Sequence, residues 1–457
     1  MAVTIDGTSL TLDDVLRVAR GGEPVELDRG VAARVRRGRE IVERALAGPE
    51  PVYGLTTGVG VRKRTAVARD EVDAFNRRLV LEHRVGQGPG APEDVVRAQL
   101  LLVVNAFARG TAGVRVELVE RLASQLNGGA RPHVRLLGSV GMSDLPANAD
   151  LAHHALDGFE LGAKEGLALL NHDAFSTAYA ALALADAERL LAALDAAAAL
   201  DLEALAGNVA VVDDRFRELL AGSYLWQEGA ARNLQDPLSF RCAPRVHAAA
   251  RETLAFVRSR VERELNASQE NPFVDLDAGR VVGSAGFDVV GLSAALDFAR
   301  IALAPVLTAA SERAIKLLQA PVTGLPEGLA VEVGLPESAL SELGVPAQAL
   351  AAEAKLLAQP VSVETASTSH HEGIEDRITL APLSARRLAA MVELGERLAA
   401  VELTIAAQAV DLRGAQPLGR ATAELYAAVR AAVPTLRRGE PLPQDLEPVR
   451  AAVFSRR

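Results

Sequence analysis

The sequence has 457 residues, of which 49% are hydrophobic and only 4% are aromatic. A chain of this length and apolar content buries a large core, and its many alanines and leucines favour helices. The formal net charge of -10 argues against a nucleic-acid-binding protein, because neutralising phosphates requires a basic surface. Cys242 is the only cysteine, which excludes an intramolecular disulfide and fits a reducing compartment.

The beginning of the sequence and its apolar runs predict a cytoplasmic protein. Residues 1–22 carry acidic side chains where a signal peptide has a basic start and an apolar run. The apolar segment "IALAPVLTAA" (301–310) is too short to span a bilayer. We therefore expect a small-molecule substrate, and neither a membrane nor a nucleic acid as partner.

Glycine and proline divide the chain into helical segments. Residues 1–50 alternate short helical patterns with glycine and proline stops. Apolar residues then recur at helical spacing over 71–127 and 164–206, and further long helices are predicted over 287–320 and 377–412. These helices are apolar on more than one face, so each needs several neighbours. The pattern predicts an all-α bundle of long helices that other subunits complete.

The expected organisation is one domain in three parts. N-terminal helices and site loops occupy 1–160, the central long-helix bundle with further site loops occupies 161–412, and C-terminal tail helices occupy 413–457. Within the bundle, Gly207 predicts the end of one long helix and Pro305 predicts a kink in another.

Polar and glycine-containing stretches between the helices are the places where a rigid scaffold presents binding residues. Six motifs occur in one order: "YGLTTGVG" (53–60), "GSVG" followed by "ADLAHHAL" (138–156), "KEGLALLN" (164–171), "QDPLSFRC" (235–242), "NASQENP" (266–272), and "EAKLLAQPVSVETASTS" leading to "EDR" (353–377). In these motifs the sequence resembles the histidine and phenylalanine ammonia-lyases and their aminomutase relatives. The resemblance implies an all-α fold and a homotetramer around a central helical bundle, with active sites built from loops of more than one subunit.

The loop after "GSVG" departs from the family where the family forms its prosthetic group. There an Ala-Ser-Gly triad cyclises, as the glycine nitrogen attacks the carbonyl of the first residue, to a methylidene-imidazolone electrophile (MIO). Here the three positions are Met142, Ser143 and Asp144. Ring closure needs a backbone geometry that glycine allows at little steric cost, whereas aspartate favours an ordinary turn. We therefore expect an unmodified Ser143, with no MIO and no other cofactor.

Other departures alter the groups that surround the substrate in this family. Leu238 replaces the tyrosine of the "QDP" motif, and Gly286 replaces an asparagine. His172 and Asp173 replace small residues after Asn171, which crowds the pocket or changes its polarity. Ammonia-lyase activity therefore lacks both its electrophile and several supporting groups.

The residues that do match the family define a candidate site. The resemblance implies that Tyr53 is the general base, Asn171 a substrate-positioning amide and Arg241 the clamp on a substrate carboxylate. With Ser143 these are the candidate catalytic residues, and five further residues are expected to bind substrate: His83, His172, Leu238, Phe287 and Glu375. A tyrosine base at neutral pH requires a pKa lowered from about 10 by positive charge or helix N-termini.

Each of these residues also has a purely structural interpretation. Tyr53 can be a packing residue with a bonded hydroxyl, and Arg241 can tie a loop to a helix. Asn171 can cap a helix or turn, and Phe287 can fill the core. The acidic site residue stays open between Glu375 and Glu372, because the preceding loop is longer than the family pattern.

Two histidine pairs raise the possibility of a metal site. The metal-ligand residue types here are His153, His154, His370, His371 and Glu372. Neighbouring residues on a helix diverge by about 100°, so a His-His pair seldom supplies two ligands to one ion. We expect no metal and a structural role for these histidines.

Three functions remain open. The first is a MIO-independent enzyme of bacterial specialised metabolism, in which a tyrosine base acts on a small carboxylate or carbonyl substrate in an elimination, isomerisation or cyclisation. The second is a true ammonia-lyase with an unusual prosthetic group, and the third is a catalytically inactive tetramer that binds or scaffolds. Retention of Tyr53, Asn171 and Arg241 favours the first, because an inactive site has no need of them.

Overall fold

The computed structural model describes residues 2–333, 338–363 and 375–454, and most of them are helical. The helices are, in chain order, α1 (Leu12–Ala19), α2 (Val31–Ala47), α3 (Val72–Glu82), α4 (Glu93–Ala108), α5 (Val116–Asn127), α6 (Leu145–Ala155), α7 (Glu165–Leu170), α8 (Ala174–Leu205), α9 (Asp214–Leu219), α10 (Leu238–Arg241), α11 (Ala243–Leu265), α12 (Val290–Leu317), α13 (Ala320–Thr323), α14 (Gly344–Leu357), α15 (Ala381–Arg413), α16 (Arg420–Ala432) and α17 (Glu447–Phe454). The predicted all-α class is confirmed.

The strands are short and pair two by two. Their bounds are β1 (Val3–Ile5), β2 (Val25–Leu27), β3 (Gln87–Gly90), β4 (Arg135–Leu137), β5 (Phe273–Asp275) and β6 (Arg280–Val282). The first pair is parallel and the other two are antiparallel. Pairing of β3 with β4 holds the start of the "GSVG" loop beside the segment that follows α3.

The chain divides into two compact units. Unit 1 comprises Met1–Ala183, Phe256–Leu296 and Pro360–Arg386, and unit 2 comprises Leu184–Ala255, Asp297–Gln359 and Arg387–Arg457. Most of the candidate site residues belong to unit 1, whereas Leu238 and Arg241 belong to unit 2. The three-part division expected from the sequence stays a prediction.

The long predicted helices are present, with shorter bounds. The segment 71–127 forms α3, α4 and α5 with β3 between the first two, because glycines and prolines over 86–92 interrupt the helical pattern. Helix α8 ends at Leu205, and the residue with a left-handed backbone is Ala206 (φ 59°), while the Gly207 N–H donates to the Leu202 carbonyl. The helix end was therefore predicted one residue late.

Helix α12 is continuous from Val290 to Leu317, with Pro305 inside it. It is long and apolar enough, by length and composition alone, to cross a membrane, and 56% of its most apolar window is buried within the protein. A helix in the core of a protein has the same length and composition, so these two properties are weak evidence for a membrane span.

In unit 1, helices α3, α6 and α7 pack around a small apolar cluster that supports the candidate site. The buried members are Leu79, Ala149, Leu167 and Leu170. Tyr53 packs against this cluster from the glycine-rich loop, and Leu145 packs against it from the first turn of α6. Burial of these side chains therefore fixes both loops that carry candidate catalytic residues.

In unit 2, three long helices are joined by one buried cation. Arg313 of α12 is fully buried, and its Nε lies 2.7 Å from Asp201 Oδ2 of α8. Its Nη2 lies 2.7 Å from Glu402 Oε1 of α15. Burial raises the pKa of both carboxyl groups, and the Arg313 guanidinium opposes that rise. The single positive charge of Arg313 balances only one of the two buried carboxylates. A proton shared by the two carboxyl groups would balance the other.

Replacing Arg313 with methionine should lower the free energy of unfolding by about 3–5 kcal/mol, because two buried carboxyl groups then lose their cation. Arg397→Met is the matched control, since Arg397 is 41% exposed in its pairs with Glu393 and Glu447. The control should cost about 1 kcal/mol or less. Equal losses in denaturant unfolding would contradict the assignment of Arg313 as a core tie.

Candidate active site

The loop that carries Ser143 is held closely against the segment before α15. Gly141 has φ 72°, and a Cβ atom there would lie 2.2 Å from Thr379 Oγ1. The Thr379 hydroxyl donates to the Gly141 carbonyl at 2.5 Å. Met142 forms an isolated bridge with Asp288, which in turn accepts a bond from Arg377 Nε at 3.0 Å. Only glycine fits such an approach, so this position is set by backbone packing.

Ser143 and Asn171 are in direct contact. The backbone of Ser143 is left-handed, with φ 57°, and its hydroxyl donates to Asn171 Oδ1. Asn171 Nδ2 donates to the Asn271 carbonyl at 2.6 Å. Asn171 also ends α7, where its N–H donates to the Leu167 carbonyl at 2.9 Å. The two interpretations of Asn171 therefore hold together, since its backbone ends a helix while its side chain meets the site loop.

Asp144 follows Ser143 in this loop, and its side chain reaches the first turn of α8. Its carboxylate accepts from the Ser176 N–H at 2.7 Å and from the Ser176 hydroxyl at 2.8 Å. Its own N–H donates to the His172 carbonyl at 3.0 Å. The side chain is completely buried, and burial raises its pKa to about 6 against the lowering effect of the Ser176 donors.

His172 and Asp173 are buried, and burial shifts the pKa of each in the direction that favours its neutral form. Burial lowers the pKa of His172 to about 4, and its Nδ1 accepts from the Ala174 N–H at 3.3 Å. Burial raises the pKa of Asp173 well above its usual range, and the neighbouring Asp144 carboxylate raises it further. Within the described residues neither Asp173 carboxyl oxygen has a hydrogen bond of good geometry. Burial therefore disfavours the charged form of both side chains.

Tyr53 accepts a hydrogen bond from the Gly60 N–H at 2.9 Å. Burial raises its pKa, the Glu375 carboxylate raises it further, and the Gly60 N–H lowers it. In this single chain the net direction is upward, opposite to the lowering that a tyrosine base at neutral pH requires. Glu375 approaches the same glycine, because a Cβ at Gly60 would lie 3.3 Å from Glu375 Oε1.

The remaining predicted pocket residues of unit 1 are less enclosed. His83 ends α3, with its Nδ1 2.8 Å from the Leu79 carbonyl. Phe287 is half-buried. Glu372, His370 and His371 lie outside the described residues, so the choice between Glu375 and Glu372 stays a prediction.

The two predicted residues of unit 2 begin and end α10. Leu238 is 62% exposed, and Arg241 is half-buried, with its Nη1 donating to Gln235 Oε1 at 2.7 Å. This contact is a local tie of the kind expected from the structural interpretation of Arg241. It leaves the Arg241 charge without a carboxylate among the contacts described for it.

The histidines of α6 are exposed side chains on unit 1. The rings of His153 and His154 lie 5.1 Å apart between centroids, and His154 lies 6.4 Å from His133. Across residues 2–333, 338–363 and 375–454, no group of three or more His, Cys, Asp or Glu side chains could hold a metal ion.

Comparison with known proteins identifies the family. A sequence profile described as "Aromatic amino acid lyase" matches residues 10–156 and 143–431. A histidine ammonia-lyase of Gloeobacter violaceus is 35% identical, over 98% of this chain and 95% of that protein. Crystal structures of an ergothioneine-degrading ergothionase from Treponema denticola (TM-score 0.92, 27% identity, 99% and 98% of the chains) and of a tyrosine aminomutase from Streptomyces globisporus (0.91, 28%, 99% and 97%) share its fold.

The chain belongs to the aromatic amino acid lyase family. The resemblance inferred from its six motifs is therefore confirmed. The relatives support a lyase-like enzyme. The reaction and the substrate of this chain are proposed below from its own residues.

Sequence reasoning did not assign a site role to Asp144, Asp173 or Ser176. Asp144 was treated as a turn residue that opposes ring closure, and Asp173 as a crowding substitution. A partial signal was present, because aspartate and serine just before and within the first turn of an apolar helix are typical helix N-terminal residues. The sequence does not reveal that Asp144, 32 residues away, meets the Ser176 donors.

Replacing Asp173 with asparagine should stabilise the protein at neutral pH. The pKa of Asp173 is higher in the folded protein than in the unfolded chain. Above the unfolded pKa the unfolded chain therefore ionises more readily, which lowers the free energy of unfolding of wild type. That cost is absent below the unfolded pKa of about 4 and grows as pH rises towards the folded value. The melting temperature of Asp173→Asn should therefore exceed that of wild type at pH 7.5, and the gain should vanish near pH 4. If Asp173→Asn is less stable than wild type at pH 7.5, the raised pKa of Asp173 in the folded protein is contradicted.

Proposed function

We propose that this protein is a MIO-independent lyase, in which Tyr53 removes a proton next to a carboxylate-bearing carbon and an amine leaves from the adjacent carbon. The observation that carries the proposal is the replacement of the ring-forming glycine by Asp144, whose backbone and side chain are both engaged in buried hydrogen bonds. Of the elimination, isomerisation and cyclisation expected from the sequence, elimination agrees best with relatives that are lyases.

The residues present do not fit a MIO group. Ring closure requires the nitrogen of residue 144 to attack the carbonyl of Met142, yet the Asp144 N–H donates to His172. The Asp144 side chain is held in a buried site by Ser176, which opposes rotation of this residue into a ring. No step of the proposed reaction therefore uses such a group.

An elimination without an electrophile sets a requirement on the leaving group. Tyr53 takes the proton, the C–H electron pair becomes the new C=C bond, and the C–N electron pair leaves with the amine. A primary ammonium group leaves poorly in this way, whereas a quaternary ammonium group leaves as a neutral tertiary amine and needs neither protonation nor covalent activation. The proposed substrate is therefore a small carboxylate with a quaternary ammonium group.

The ring portion of that substrate is proposed from the comparisons. One fold neighbour is described as ergothioneine-degrading and was solved with desmethyl-ergothioneine sulfonic acid, and several sequence relatives are histidine ammonia-lyases. Histidine and ergothioneine, the betaine of a thiohistidine, share an imidazole-type ring and a carboxylate. Neutral His172 and the Asn171 amide offer hydrogen bonds to such a ring. For the carboxylate, the family resemblance implies the guanidinium fork of an Arg241 side chain.

A second candidate is a histidine ammonia-lyase with an unusual prosthetic group. It is favoured by 35% identity, over 98% of the chain, to a histidine ammonia-lyase.

In either case we propose a cytoplasmic homotetramer with shared active sites. Large apolar side chains exposed on the single chain support association, among them Phe298, Ile301, Val345 and Leu356 of unit 2.

Intact mass and a substrate panel separate these candidates. We expect the full-length protein to have the mass of its unmodified sequence, because Ser143 keeps its hydroxyl. Among histidine, phenylalanine, tyrosine and ergothioneine, only ergothioneine should give an unsaturated acid, followed by absorbance, with release of a tertiary amine. Loss of water from the peptide containing 142–144, together with ammonia release from histidine, would establish the ammonia-lyase instead.

Tyr53→Phe should bind substrate but turn it over about 10²-fold more slowly or worse, because the ring stays packed while the base is lost. Since the Tyr53 pKa is raised, wild-type kcat/KM should keep rising with pH into the alkaline range, where the phenolate becomes populated. Tyr53→Phe should lose that limb, whereas Arg241→Lys should keep it and raise KM.

Tyr179→Phe is the matched control, since it removes the same atom from a half-buried tyrosine of α8. Its kcat/KM should follow the wild-type pH profile. Equal rates for wild type and Tyr53→Phe would remove Tyr53 from the mechanism and favour a binding or scaffold role.

A further inference from the structure

We propose that Asp144 is a positioning residue of this site, which caps α8 from outside the helix and thereby holds the Ser143 hydroxyl on the Asn171 amide. The inference rests on the proposed function, because it requires an uncyclised Ser143. In this arrangement a set of buried hydrogen bonds does the ordering that a covalent ring would otherwise supply.

The first step is the anchoring of Asp144. Ser176 is the third residue of α8, and an N–H in the first turn of a helix has no acceptor within the helix. The Asp144 carboxylate accepts from that N–H and from the Ser176 hydroxyl, at 2.7 and 2.8 Å. A negative group at this position is also stabilised by the helix macrodipole. Together with the bond from its N–H to His172, this ties residue 144 at both backbone and side chain.

The second step is the effect on Ser143. A left-handed backbone costs a residue other than glycine roughly 1–2 kcal/mol, so it persists only where the flanking residues impose it. On one side Met142 is bridged to Asp288, and on the other Asp144 is tied to Ser176. Ser143 is therefore held from both sides, and its hydroxyl is directed to Asn171 Oδ1.

The third step is the orientation of the Asn171 amide. Its oxygen accepts from Ser143, and its nitrogen donates to the Asn271 carbonyl at 2.6 Å. These two bonds fix which end of the amide is oxygen and which is nitrogen, and each atom retains further hydrogen-bonding capacity. Asp144 thus acts on the proposed substrate through Ser143 and Asn171 without touching it.

The neighbouring carboxyl group makes this role specific to Asp144. Asp173 adjoins the same helix start, but within the described residues neither of its carboxyl oxygens has a hydrogen bond of good geometry. The donors of Ser176 face Asp144, and the carboxylates of Glu264 and Asp288 raise the pKa of Asp173. Of these two buried carboxyl groups, Asp144 is the one whose oxygens accept hydrogen bonds from α8 within the described residues.

The test compares full-length Asp144→Ala, Asp144→Asn and Ser176→Ala with wild type, by crystal structure and by kcat/KM on the panel substrates. Wild type should show the Ser143 hydroxyl on Asn171, and Asp144→Ala should lose that contact and the positive φ of Ser143. Asp144→Asn keeps an acceptor for the Ser176 N–H, so it should retain the contact with kcat/KM lowered about 10-fold. Ser176→Ala should show an intermediate loss, and it replaces Asp144→Ala if that variant does not fold.

Thr11→Ala is the matched control, because Thr11 is the N-cap of α1 and its loss should cost a comparable ~1 kcal/mol of stability. It should leave the Ser143 contact and the kinetics at wild-type values. If Asp144→Ala or Ser176→Ala keeps Ser143 on Asn171 at positive φ, the positioning role is wrong while the proposed function stands. If wild type instead has a ring at 142–144, the proposed function fails, and the positioning role fails with it.

Discussion

The start of α8 is the constraint on which the candidate site depends. A helix of 32 residues begins there among buried residues, with backbone donors that have no acceptor within the helix. Asp144 supplies an acceptor from a different segment. Because the same residue begins α6, one hydrogen-bonded pair fixes the entry of two helices and the backbone of Ser143 between them.

Buried charge is treated differently at each place where it occurs in this protein. Asp144 accepts from two donors of Ser176, and burial raises its pKa to about 6. Asp173 has no hydrogen bond of good geometry to its carboxyl oxygens among the described residues, and burial raises its pKa well above the usual range. In unit 2, Arg313 lies between Asp201 and Glu402, so one cation serves two carboxyl groups. The cost of desolvation, set against the partners available, decides the charge state in each case.

The burial of His172 and Asp173 bears on what the site recognises. Burial disfavours the charged form of both side chains, which favours recognition through shape and hydrogen bonds beside Asn171. This agrees with a reaction in which the leaving group carries its own permanent charge. It also agrees with the presence of Tyr53 and Asn171 in a chain that has Asp144 where the family has the ring-forming glycine, since both have a role in the proposed elimination.

The sequence by itself determined the all-α class, the long helices over α8, α12 and α15, and membership of the family, because apolar periodicity and motif order are local properties of the chain. It also predicted Tyr53, Ser143 and Asn171 as site residues, and the structure brings Ser143 into contact with Asn171. Only the tertiary structure decided that Asp144 caps α8 and that the pKa values of Asp173 and Tyr53 are raised. These properties depend on which segments meet and on how much water they exclude, and neither is written in the spacing of residues along one chain.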